Sequence, residues 1–93
     1  MDEKKTAIKA FNDAWNYLDK EELSLLEKTE LLHLVHTSRY HWGNVGEIVH
    51  KARGEWQISR AYSKVEFPDA ALLHANMCLE YTLAGELSGF DLA

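Results

Sequence analysis

The sequence predicts an all-α fold, with four helices in two antiparallel hairpins. Two observations carry this expectation. Apolar residues recur at three- and four-residue steps through most of the chain, the period of a helix with one buried stripe. The composition, 46% apolar and 11% aromatic with a single proline and five glycines, is too hydrophobic for a disordered chain and too poor in turn-formers for an all-β fold. Ninety-three residues fit one domain, so residues 1–93 read as a single helical unit.

The first helix is expected from about Glu3 to Asp19, where Ala7, Ile8, Phe11, Ala14, Trp15 and Leu18 share a stripe. After "DKEEL", Ser24 stands three residues ahead of Glu27 as a capping box that satisfies orphan backbone donors and opens a second helix. Its apolar positions Leu25, Leu31, Leu32, Leu34, Val35 and Trp42 lead to Gly43, which the reading takes as a left-handed stop. Asn44, three residues before Glu47, then serves as the start of a third helix, "GEIVHKARGEWQISRAYSKVEF". That helix is apolar on two sides, at Ile48, Val49, Ala52 and Trp56 and at Ile58, Ala61, Tyr62 and Val65, and is therefore expected to be packed from both. Pro68 starts the fourth helix, with Asp69 near its positive end and a stripe of Ala71, Leu72, Ala75, Cys78, Leu79, Thr82 and Leu83 ending at Gly85. In "SGFDLA", Asp91 offers an N-cap with only Leu92 and Ala93 after it, so the chain reads as stopping where a further helix begins.

Charge narrows the partners. The net charge of −5 argues against a nucleic-acid backbone, which normally meets a basic surface. Residues 1–30 sum to −3, residues 31–66 to +2, and residues 67–93 to −4, and the basic middle also holds four of the five histidines. That segment either attracts an anionic group or pairs with its acidic flanks. No stretch approaches the roughly 20 apolar residues of a membrane span, and "MDEKKTAIKA" has no signal-type apolar core, so a cytoplasmic protein without membrane contact is expected. The lone cysteine, Cys78, excludes an internal disulfide framework and reads as a small apolar side chain.

In "EWQISRAYSKVEFPDAALLHANMCLE", Ile58, Tyr62 and Ala71 occupy the leucine, tyrosine and alanine positions of a tetratricopeptide repeat, with the turn between helices where that repeat places it; Ser59 and Ala75 stand where the repeat has a glycine and an aromatic. The longer string "HTSRYHWGNVGEIVHKARGEWQISRAY", with "ALLHANMCLE" and "GFDLA", resembles small bacterial tetratricopeptide-like proteins of unassigned function. The resemblance covers Leu31 to Ala93 and implies a helical-repeat fold with a scaffold or peptide-binding role. It brings no catalytic residues.

No reaction is specified. Ser38, Ser59 and Ser63 lie in helical patterns rather than on a nucleophile elbow, no glycine-rich phosphate loop is present, and no cofactor is implied. His33, His36 and His41 do not converge from one straight helix, since position 41 lies about 140° round from position 36. A metal-dependent helical enzyme, the alternative reading, needs His33 and His36 to be joined by His50 or His74 from neighbouring helices. Arg53, Gln57 and Arg60, at spacings of four and three, share one edge of the third helix beside Trp56, where guanidinium groups hold carboxylates bidentately. Arg39 and His41 are expected to face them across a partly basic groove between helices two and three. The competing structural reading pairs these arginines with Glu47, Glu55 or the acidic tail and lays them over Trp56. The function expected is an interaction module for an acidic protein or peptide segment, with self-association through the exposed ends of a short stack.

Overall fold

The computed structural model describes residues 2–88. Over that range the chain is all-helical, with α1 spanning Glu3–Leu18, α2 Leu25–Val45, α3 Ile48–Lys64 and α4 Pro68–Ala84. Short connections force neighbouring helices to run antiparallel. The hairpins α1/α2 and α3/α4 follow, and α3 also packs along α2 and touches α1, which makes it the central helix. None of the described helices is long and apolar enough to cross a membrane.

Local chemistry explains most boundaries. Asp2 caps α1 by accepting from the Lys5 N–H at 3.2 Å. Ser24 and Glu27 form the reciprocal box: the Glu27 N–H donates to Ser24 Oγ and the Ser24 N–H to Glu27 Oε1. Lys20 adds an ion pair to the same carboxylate. Together these hold Glu27 at a pKa of about 2, with the Lys20 contact the largest cause. Pro68 takes the first turn of α4, where a missing N–H leaves nothing unsatisfied.

The bend between α2 and α3 differs from the expectation. Gly43 does not stop α2, which runs on to Val45 and ends at Gly46 in an extended rather than left-handed conformation. Trp42 is buried and Asn44 donates to Glu3 of α1 at 2.6 Å, so packing against the neighbouring helix offsets the roughly 1 kcal/mol helix penalty of Gly43. Asn44 therefore lies inside α2. Glu47 is the N-cap of α3, and its N–H donates to His50 Nδ1 at 2.9 Å. A Cβ on Gly46 would lie 2.7 Å from the Trp42 carbonyl and 2.9 Å from His50 Cβ, a close approach that only glycine permits here. The left-handed positions fall instead on Glu66 and Glu86, each just past a helix end, where Phe67 N–H reaches back to the Tyr62 carbonyl and Leu87 N–H to that of Thr82.

The core is small-to-large. Ala7, Ala10 and Ala14 let α1 approach closely, and Leu18, Leu31, Val35, Ile58, Ala61 and Val65 fill the space between α1, α2 and α3. The stripe expected on α4 is split: Ala71 and Cys78 turn toward α3, whereas its leucines do not. Leu72, Leu79 and Leu83 are exposed, and the face turned toward α3 is Ala71, His74, Cys78 and Tyr81. The reason lies on α3, where Glu55 accepts from His74 and Ser59 donates to the Ala71 carbonyl at 2.8 Å, so hydrogen bonds rather than leucines set the rotation of α4.

Candidate functional site

Two clusters of chemistry-bearing side chains emerge, on opposite flanks of α3. The first is aromatic and basic, between α1 and α3. Phe11 and Trp15 lie one turn apart on α1 with ring centroids at 6.3 Å, and Trp15 meets Trp56 of α3 at 5.6 Å. The Arg60 guanidinium sits over both indoles, 5.9 Å from Trp15 and 5.5 Å from Trp56, a geometry in which the ring faces attract the cation. Arg60 itself is exposed. Beyond Phe11 the face opens into a cleft of about 160 Å³ lined by Ile8, Phe11, Asn12, Trp42, His50 and Arg53. His50 stacks on Trp42 at 4.2 Å with rings nearly parallel, and because its Nδ1 accepts the Glu47 N–H, its proton resides on Nε2. Burial, aided by the Arg53 charge, lowers the His50 pKa and favours that neutral form.

Three of the expected residues, Arg53, Trp56 and Arg60, thus lie along this flank. Gln57 does not join their surface. It is fully buried, donates from Nε2 to the Phe11 carbonyl at 2.9 Å, and ties α3 to α1 beneath the rings. His41 pairs with Glu3 at 2.8 Å, beside the Asn44 bond to the same carboxylate, and those two bonds lower the Glu3 pKa. The sequence places Phe11 and Trp15 on the apolar stripe of α1; their place beside Trp56 depends on how α1 and α3 meet.

Arg39 belongs to the second cluster, which spans α2, α3 and α4. Its Nε donates to Glu55 at 2.8 Å and its Nη2 to the Tyr81 hydroxyl at 2.9 Å, with the guanidinium 5.4 Å from the Tyr81 ring. Gly54 allows this: a Cβ there would fall 2.9 Å from Arg39 Cδ. Glu55, 6% exposed, also accepts from His74 Nδ1 at 2.7 Å. His74 stacks on Tyr62, and His36 is hydrogen-bonded to the Tyr62 hydroxyl at 2.8 Å with its ring 5.6 Å from that of His74. Burial first, then the neighbouring His74, lowers the His36 pKa. The expected groove in which Arg39 and His41 face Arg53 and Arg60 is therefore not the arrangement found, because Arg39 turns to Glu55 and Tyr81, His41 to Glu3, and Arg60 to the indoles of Trp15 and Trp56.

Of the histidines in the metal reading, His36 and His74 come together, His50 lies against Trp42 on the other flank, and His33 is exposed. Among the described residues no group of three or more His, Cys, Asp or Glu side chains is placed to hold a metal ion. Cys78 is buried, and burial pushes its thiol pKa up, away from a reactive thiolate. Comparison of the chain with protein-family models, curated proteins and solved structures gives no match.

Proposed function

We propose that this chain is a protein-interaction module of the tetratricopeptide-like kind, receiving an acidic peptide segment on the flank formed by α1 and α3. The observation that carries the reading is the Arg60 guanidinium held over Trp15 and Trp56 in a side chain that remains exposed. The two ring faces localise the cation, so a carboxylate meets a charge already held in place, and less side-chain entropy is lost on binding. The rings supply amphipathic contact area at low entropic cost, and the cleft past Phe11 is sized for one apolar side chain. From Arg53 to Arg60 is seven residues of helix, about 10 Å at 1.5 Å per residue, the span of about three residues of an extended peptide.

A peptide of alternating Glu and Phe, and its Lys-for-Glu counterpart, provide the test. Titration followed by NMR of the indole N–H signals is expected to move Trp15 and Trp56 with the acidic probe alone. Arg60→Ala is expected to weaken that probe by about 2 kcal/mol, roughly 30-fold, with the melting temperature nearly unchanged. Equal binding of both probes, or of the acidic probe to the variant, refutes the assignment.

A further inference from the structure

A second apolar surface lies on α4, away from the proposed peptide site on α1 and α3. Leu72, Leu79 and Leu83 of α4 are 62%, 53% and 65% exposed, and with Asn76 they stand at steps of four, three and four. That is the spacing of a coiled-coil seam, where positions at alternating steps of three and four meet a partner helix. The helical phase agrees with the packing seen. Ala71, His74, Cys78 and Tyr81, on the side away from the seam, are the residues turned to α3, so the seam faces out of the domain. Leu73, at 59% exposure, and Met77 widen it. From Leu72 to Leu83 the stripe runs eleven residues, about 16 Å along the axis, which offers four successive seam positions, about one and a half heptads, to a docked helix.

The surrounding charge selects the occupant. Asp69 lies one turn before the stripe, Glu80 flanks it, Glu86 follows it, and the sequence holds no Lys or Arg after Lys64. A second copy of the same helix, parallel or antiparallel, sets these acids against acids. A second copy offering α1 brings Lys4, Lys5 and Lys9 on its outward side but only Ile8 as an exposed apolar group, too little to cover three leucines. We propose that the outward face of α4 docks a basic amphipathic helix of a partner protein, with leucine-type residues in the seam and Lys or Arg beside Asp69, Glu80 and Glu86.

The probe is a fluorescein-labelled model helix of about three heptads with Leu at the seam positions and Lys flanking them, compared with the same helix carrying Glu flanks. By fluorescence anisotropy on the full chain, the Lys-flanked helix is expected to bind with an affinity that falls as salt is raised, and the Glu-flanked helix to bind at least about ten-fold more weakly. Leu79→Ser with Leu83→Ser is expected to reduce binding by about ten-fold or more while the melting temperature holds, because both side chains are already in water. Arg60→Ala is expected to leave this binding unchanged, which separates the surface from the α1–α3 flank. Failure of the Lys-flanked helix to bind, equal binding of both helices, or a sedimenting dimer dissolved by the two serine substitutions overturns the proposal, the last by making a second copy the occupant.

Discussion

Replacing Glu55 with alanine is expected to destabilise the domain more than any other single charge removal. Its carboxylate, 6% exposed, accepts one hydrogen bond from Arg39 of α2 and one from His74 of α4. The backbones of α2 and α4 do not pack on each other, so side chains couple them: this carboxylate, the Arg39 bond to Tyr81 and the edge contact of His36 with His74. Glu55→Ala leaves the Arg39 guanidinium, whose side chain is 19% exposed, facing a space without its counterion. Removing one partner of a buried pair typically costs 3–5 kcal/mol; the partial exposure of Arg39 places this case near the lower end, about 3 kcal/mol. For a domain of this size that corresponds to a fall in melting temperature of about 15 °C. Glu55→Gln keeps the shape and one acceptor and is expected to cost about half as much. Urea denaturation of wild type, Glu55→Ala, Arg39→Met and the double variant gives the coupling energy, expected at about 1 kcal/mol or more. A Glu55→Ala variant within about 0.5 kcal/mol of wild type, or an additive cycle, refutes the claim that this pair joins the hairpins.

Three further outcomes follow from the same geometry. His36 and His50 have pKa values below the ordinary 6.5, so between those values and 6.5 the unfolded chain binds more protons than the folded one; stability is complete above about pH 6.5 and declines as pH falls through the lowered values. Denaturation midpoints measured across that window should show the decline, and His36→Asn should flatten it; an unchanged slope contradicts the assignment to His36. Glu66→Gly is expected to stabilise by about 0.5–1 kcal/mol, because relief of a left-handed non-glycine residue exceeds the added unfolded-state entropy, and a drop in melting temperature would count against it. Ser24→Ala removes the acceptor for the Glu27 N–H and should cost about 1 kcal/mol in thermal unfolding, whereas Ser24→Asp should retain most of the stability.

What was legible in the sequence is what local chemistry decides. The period of the apolar residues, the Ser24–Glu27 box and Pro68 at a first turn each act within about one turn of chain, and they located four helices and the start of α2 and α4. The side-by-side placement of Arg53, Trp56 and Arg60 follows the same way, from spacing along one helix. Tertiary structure decided the rest. Gly43 carries a stop signal that Trp42 burial and the Asn44 bond to Glu3 override. The leucines of α4 give it no unique buried side by periodicity, and the hydrogen bonds from Glu55 and Ser59 choose the side with His74. Arg39 had several acids within reach of a plausible helix packing; a glycine at position 54 let α2 come close enough for Glu55 to take it. Helix formation is governed by neighbours in sequence, whereas the rotation of one helix on another depends on groups far apart in the chain, and in this protein that rotation decides which cations meet rings, which meet carboxylates, and which leucines remain in water.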